Sequence, residues 1–93
     1  MARVLVVLKI YPEDVERSTR EEIVDELRKR IPGDYHIVRI AEEPVAFGYS
    51  VLKVYVSIPE ETEGGTERLE EIVSRLPGVE EHEVEFVHRL SEF

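Results

Sequence analysis

Three histidines carry the side chains best suited to bind a metal ion or to act as a general base. His36, His82 and His88 each lie in a segment with the residue pattern of a β-strand, and none belongs to a ligand-spacing motif. His82 and His88 share parity along their strand but lie about 20 Å apart, too far for one metal ion. The chain has no cysteine, so thiolate ligands and thiolate nucleophiles are excluded. We therefore predict no metal site, no cofactor and no catalytic residue.

Two further groups have the chemistry to bind an ion. The neighbouring carboxylates of Glu42 and Glu43 could hold a cation weakly, and we interpret them as a solvated pair. Gly64-Gly65-Thr66 precedes a predicted helix, where backbone N–H groups can bind a phosphate. That segment lacks the lysine of a P-loop, and glutamates on both sides of it would repel an anion. We interpret it as a turn followed by a helix N-cap.

An apolar segment, Glu43–Tyr49, is the part of the chain that a fold alone explains least. It places Val45, Ala46 and Phe47 in a predicted connection between two strands. Connections are generally polar, and an exposed phenylalanine is costly. Two interpretations follow. Phe47 either packs under the edge of the sheet as a lid on the core, or projects as an aromatic anchor that enters the pocket of a partner.

The spacing of apolar residues predicts the elements that position these groups. Period-2 patterns predict strands, and apolar residues at helical spacing predict two amphipathic helices. A capping-box pattern at Ser18 or at Thr19 is expected to begin the first helix, and Thr66 is the expected N-cap of the second. The predicted strands are 3–11, 35–41, 49–58 and 81–90; the predicted helices are 18–31 and the segment from Thr66 to Pro77-Gly78.

The remaining segments are predicted to be connections. Residues 42–48 are expected to be irregular, residues 60–65 form an acidic loop, and residues 91–93 are expected to be a flexible tail. In the last strand, strict alternation would place Val84 and Phe86 on one face together with His82 and His88.

The order of these elements is β-α-β-β-α-β. It predicts a single α+β domain, residues 1–93, with the ferredoxin-like sandwich: a four-stranded antiparallel sheet with two helices on one face. The first and third predicted strands are the longest and most apolar, as the central strands of that fold should be. The second and fourth carry more charge, which suits edge strands because charge resists pairing with other chains.

Composition restricts the possible functions. The chain has 12 basic and 21 acidic residues and a formal net charge of −9, which argues against direct binding to nucleic acid or to an anionic membrane. It lacks an apolar run long enough to span a membrane and shows no signal peptide, so a cytoplasmic location is expected. The absence of Asn and Gln, together with 35% charged residues, is typical of thermophile proteins.

A combination of short segments then points to a family. These are Pro44-Val45-Ala46-Phe47-Gly48, the following Leu52-Lys53-Val54, the opening Val4-Leu5-Val6-Val7-Leu8-Lys9, Gly64-Gly65-Thr66 before the second helix, and the final Arg89-Leu90. Together they resemble the elongation factor 1-beta family, the guanine nucleotide exchange factors of translation elongation factor 1-alpha. The resemblance extends from Val4 to Leu90, and the archaeal members share the short length and the acidity.

The resemblance implies a protein without chemistry of its own, which binds the GDP-bound and nucleotide-free forms of elongation factor 1-alpha. In eukaryotic relatives, the aromatic residue that matches Phe47 enters a pocket of the GTPase, and a lysine near the C-terminus displaces the magnesium ion. Arg89 stands nearest to that lysine, and its planar guanidinium differs from a point ammonium. The expected partner-binding residues are Pro44, Ala46, Phe47, Gly48, Arg89 and Leu90.

A second function class remains open at this stage. Ferredoxin-like domains also serve as small-molecule-sensing or regulatory modules, which usually dimerise to form the ligand site, whereas the exchange factor is expected to be a monomer. The acylphosphatase type of enzyme in this fold needs an asparagine, and the chain has none.

Overall fold

One four-stranded antiparallel sheet forms the framework of the protein. The structure is a computed structural model that describes residues 2–61 and 64–90. The strands run in the spatial order β2-β3-β1-β4. In chain order the elements are β1 (Arg3–Pro12), α1 (Arg17–Arg30), β2 (His36–Ala46), β3 (Tyr49–Pro59), α2 (Glu67–Ser74) and β4 (Val79–Leu90). The ferredoxin-like prediction is confirmed, with β1 and β3 at the centre of the sheet.

The core lies between one face of the sheet and the two helices. Alternate residues of β1 and β3 are buried against apolar residues of α1 and α2, because successive strand residues point to opposite faces. Burial of each such side chain stabilises the fold by about 1.5–3 kcal/mol. The central members of this core are Val6, Leu8, Ile10, Leu52, Val54, Val56, Ile23, Leu27, Leu69 and Val73.

The connection between β2 and β3 differs from the prediction. The segment expected to be irregular, residues 42–48, is mostly strand: β2 continues to Ala46, β3 begins at Tyr49, and these two residues pair across the sheet. Only Phe47 and Gly48 form the turn. The strand runs through Pro44 because β2 is an edge strand, and an edge position tolerates a residue without an N–H group.

Two bulges interrupt the pairing of β2 with β3. The register shifts between Ile37 and Arg39 and again between Pro44 and Ala46, so Val38 and Val45 are the extra residues. Both valines are exposed, at 62% and 65% of their surface. Bulges bend and twist an edge strand, which hinders pairing with another chain.

A third bulge overturns the face assignment predicted for β4. The register shift between Val7 and Leu8 places Val84 opposite Leu8 on the core side and Phe86 opposite Val7 on the open side. Val84 and Phe86 therefore do not share a face. The same shift separates the two histidines of β4, because His82 pairs with Ile10 and His88 with Leu5. Strict alternation cannot reveal a bulge, since the extra residue changes the parity beyond it.

The hydrogen bonding at the N-termini of both helices also differs from the prediction. The first helix begins at Arg17 after Glu16, without a side-chain cap, so the capping box predicted at Ser18 or Thr19 is wrong. Thr66 does occupy the N-cap position of α2, as predicted. Its hydroxyl donates to the carboxylate of Glu70 at 2.9 Å and does not cap a backbone amide.

Gly78 joins two connections at one end of the sheet. Its carbonyl accepts a hydrogen bond from the Glu13 backbone N–H at 2.8 Å, which links the β1–α1 connection to the start of β4. The backbone of Gly78 has φ +83°, and a Cβ atom built there would lie 2.8 Å from Cγ2 of Thr19 on α1. Only glycine fits this conformation and this close approach.

We predict that Gly78→Ala lowers the free energy of unfolding by about 1–3 kcal/mol, because it combines an unfavourable φ with a clash against Thr19. Urea denaturation measures the change. Gly33→Ala is the matched control, since Gly33 has open space around its Cα. Equal stabilities of the two variants would contradict the packing described for Gly78.

Candidate functional site

Phe47 is the most exposed large apolar side chain among the residues described. Its relative exposure is 101%, so the interpretation of Phe47 as a lid on the core is wrong. The backbone at Phe47 and Gly48 has φ of 51° and 77°. Positive φ at both central residues is the signature of a type I′ turn, the tight turn that suits the twist of a β-hairpin.

This turn is energetically unsuited to a phenylalanine. The first position of a type I′ turn favours Asn, Asp or Gly, because other residues are strained by about 1–2 kcal/mol in the left-handed region. A fully exposed ring also gains nothing from burial. Phe47 is the one non-glycine residue with positive φ in the described parts of the chain. Strained residues of this kind cluster at functional sites, so Phe47 is a candidate binding residue.

The hairpin that carries Phe47 is fastened to the body of the protein at two points, one next to its turn and one further along β2. The hydroxyl of Tyr49 donates to the Pro12 carbonyl at 2.6 Å, which ties the start of β3 to the end of β1. Arg20 on α1 contacts the carboxylate of Glu42 on β2 at 2.5 Å. The tip of the hairpin is therefore presented by a braced element.

A second set of ion pairs braces the open face of the same hairpin. Glu43 on β2 lies 3.6 Å from Nζ of Lys53 and 3.9 Å from Nζ of Lys9. Lys53 also contacts Glu85 on β4 at 3.2 Å, so the network crosses all four strands. The hydrogen bond to Glu85 raises the pKa of Lys53. Glu42 and Glu43 were interpreted as a solvated pair, but both carboxylates form ion pairs with basic side chains, and these contacts give no support to the alternative of cation binding.

The other predicted site residues fall into two groups. Pro44, Ala46 and Gly48 lie beside Phe47 in the hairpin, whereas Arg89 and Leu90 lie at the other end of the sheet. Leu90 pairs with Arg3 at the start of β1, and the hairpin lies beyond the end of that strand. The 11 residues of β3 connect the two ends, a distance of about 35 Å. The structure does not bring the two groups together.

Arg89 is solvent-exposed on edge strand β4. Its side chain is 73% exposed, and its Nε lies 3.2 Å from Oε1 of Glu60. Exposed pairs of this kind contribute about 0–1 kcal/mol, so Glu60 can release Arg89 at little cost. Leu90 is half-buried beside it.

The described parts of the chain contain neither a grouping of metal-ligating side chains nor a membrane-spanning helix. No three His, Asp or Glu residues there are grouped to hold an ion. His82 instead lies 3.8 Å from the carboxylate of Glu70 on α2. Neither described helix has the length and apolar character needed to cross a bilayer.

Comparison with known proteins identifies the family to which this chain belongs. Residues 5–90 match the EF-1 guanine nucleotide exchange domain. The chain belongs to this family. Family membership makes it a translation elongation factor that promotes guanine nucleotide exchange, as the sequence resemblance implied.

Relatives named elongation factor 1-beta match nearly the whole chain. The Ignicoccus hospitalis protein is 53% identical over 98% of this chain and 96% of its own length. The Hyperthermus butylicus protein is 53% identical over the full length of both chains. That of Aeropyrum pernix is 41% identical over 97% of this chain and 99% of its own. Such relatives come from thermophilic archaea, in agreement with the composition.

A solved structure supports the fold alone. The C-terminal domain of the MgtC protein from Mycobacterium tuberculosis gives a TM-score of 0.52 and covers 97% of this chain and 88% of that one. Its sequence is 20% identical, so the likeness concerns the ferredoxin-like architecture and not the function.

Two features of the hairpin were missed by the sequence reasoning. Val45 was part of the apolar segment, but only the bulge explains why it points to solvent. Tyr49 was assigned to a strand, and its contact with Pro12 was not expected. A stronger signal was present in Phe47-Gly48: a residue followed by glycine between two alternating strands is typical of a two-residue hairpin turn.

We predict that Phe47→Asn raises the free energy of unfolding by about 0.5–1 kcal/mol, because asparagine tolerates the left-handed conformation and no buried contact is lost. Thermal or urea unfolding measures the gain. Gly48→Ala is the companion variant, and it should destabilise the protein, since it introduces a side chain at φ 77°. A clear loss of stability in Phe47→Asn would mean that the ring packs against the protein.

Proposed function

We propose that the chain accelerates the release of GDP from elongation factor 1-alpha by binding its GDP-bound and nucleotide-free forms as a monomer in the cytoplasm, with no chemistry of its own. The observation that carries this proposal is Phe47, a fully exposed aromatic ring held in a strained turn within a domain of an exchange-factor family. Family membership favours this function over the small-molecule-sensing alternative.

The mechanism follows from linkage between two ligands of the GTPase. A factor that binds the nucleotide-free state more tightly than the GDP-bound state must weaken GDP binding by the same factor. A difference in affinity of about 1–3 kcal/mol corresponds to a change of about 5–150-fold. Phe47 supplies binding energy, and aromatic anchors that fill a pocket are the usual source of such energy at interfaces.

The two ends of the sheet would meet separate surfaces of the GTPase. Phe47, with Pro44, Ala46 and Gly48 around it, forms the contact at one end. Arg89 and Leu90 form the contact at the other, about 35 Å away. The guanidinium of Arg89 would leave Glu60 and bring positive charge to the magnesium and phosphate region, where competition with the ion loosens the nucleotide. Nucleic acid has no direct part in this proposal.

We predict that Phe47→Ala reduces the rate of GDP release about 10–100-fold at limiting factor, because an anchor residue is lost. Release of a fluorescent GDP from elongation factor 1-alpha of the same organism measures this rate. The melting temperature should stay within about 2 °C of the wild type. Val38→Ala, which removes another exposed apolar side chain, is the control. Wild-type protein that fails to accelerate release from an active GTPase would overturn the proposed function.

We predict that Arg89→Ala lowers the maximal exchange rate about tenfold at saturating factor and changes binding less. Arg89→Lys should restore much of the rate, because the charge is retained. Exchange titrations that separate the maximal rate from the half-saturating concentration distinguish the two effects. Equal maximal rates for wild type and Arg89→Ala would exclude a role for Arg89 at the nucleotide.

A further inference from the structure

Three exposed apolar side chains collect at the hairpin end of the sheet, which we define as residues 12–16, 42–49 and 78–81. They are Val15 at 50%, Val45 at 65% and Phe47 at 101% exposure. They make up half of the six large apolar residues that are exposed in the described parts of the chain. The apolar surface of this end is therefore larger than Phe47 alone.

Strand pairing and one bridging side chain bring these residues to the same end. Pro12 at the end of β1 pairs with Val79 at the start of β4, and Tyr49 reaches the Pro12 carbonyl. Arg20 contacts Glu42 on β2 and also donates to the Val15 carbonyl at 3.0 Å. The side chain of Arg20 thus links Val15 to the hairpin that carries Val45 and Phe47.

The acidic residues at this end have few cations to neutralise them. Glu13, Asp14 and Glu16 lie in the β1–α1 connection, and Glu80 and Glu81 begin β4. None of the five forms a salt bridge within residues 2–61 and 64–90, whereas the cations Arg17 and Arg20 are paired with Glu21 and Glu42. Burial, together with the charges of Glu80 and Glu81, raises the pKa of Tyr49 beside the hairpin turn.

We propose that the whole hairpin end is one docking surface, in which Val15 and Val45 flank Phe47 and the acidic residues surround them. Its occupant is an apolar pocket rimmed by Lys or Arg side chains on elongation factor 1-alpha. Apolar contact supplies the affinity, and charge complementarity supplies the rate of encounter. This inference rests on the proposed function, since it names the surface chemistry of that partner.

The apolar part is tested with two exposed bulge valines of the same strand. Val45 lies at the hairpin end, and Val38 lies at the other bulge of β2 with nearly the same exposure. Val45→Thr should raise the half-saturating concentration for GDP release about three- to tenfold, with the maximal rate unchanged. Val38→Thr should leave both values unchanged. Equal effects of the two substitutions, or none, would overturn the apolar part.

The electrostatic part is tested with two double variants that change the net charge by the same amount. Glu80→Lys with Glu81→Lys alters the hairpin end; Glu22→Lys with Glu67→Lys alters exposed positions on the helices. The first pair should lower the association rate with the GTPase about tenfold at low salt and flatten its salt dependence. The second pair should have less than one third of that effect. Equal effects would show that net charge alone acts and would overturn the localised surface.

The wild-type measurement separates this inference from the proposed function. Unfolding temperatures of all variants are compared first, so that a loss of folding is not read as a loss of binding. If the wild type accelerates GDP release and each variant behaves like its control, the docking surface is overturned and the exchange function stands. Absence of acceleration by the wild type would overturn both.

Discussion

The pairing of β1 with β3 is the constraint on which the rest of the structure depends. Val6 lies opposite Val56 and Leu8 opposite Val54, so the buried faces of both central strands meet the same two helices. A slip of one residue would turn the core side chains toward solvent, which makes this register strongly specified. On the other side of β3, Tyr49 pairs with Ala46 of β2, so only two residues remain to join these strands.

That geometry explains why Phe47 is both strained and exposed. A two-residue connection between twisted strands demands positive φ, and the chain meets this demand with Phe47 followed by Gly48. Natural sequences usually agree with their fold at every level, and local conflicts tend to mark functional sites. The contacts of Tyr49 and Arg20 hold the two strands of the hairpin in place, so the conflict is confined to the turn.

Much of the fold could be predicted, because its largest energetic contributions leave a periodic pattern in the sequence. The apolar alternation of β1 and β3 and the helical spacing around Ile23 and Leu69 were sufficient for the ferredoxin-like order. Bulges leave no such pattern: the extra residue at Glu85 places Val84 and Phe86 on opposite faces, and the extra residue at Val45 interrupts the alternation of β2 near its end. The site was predicted in part. The exposure of Phe47 was one of two open interpretations. The separation of Arg89 from Phe47 follows from the strand pairing, which cannot be read from the sequence alone.

The most direct test of the account is to observe Phe47 itself during binding. The chain contains three phenylalanines, Phe47, Phe86 and Phe93, so fluorinated phenylalanine gives few ¹⁹F signals. Phe47→Tyr identifies the signal of Phe47 by its loss. On titration with GDP-bound elongation factor 1-alpha, this signal should shift or broaden in proportion to complex formation, because the ring leaves water for a pocket. A Phe47 signal that stays at its free position while the complex forms would contradict the central claim that this ring is the anchor of the interface.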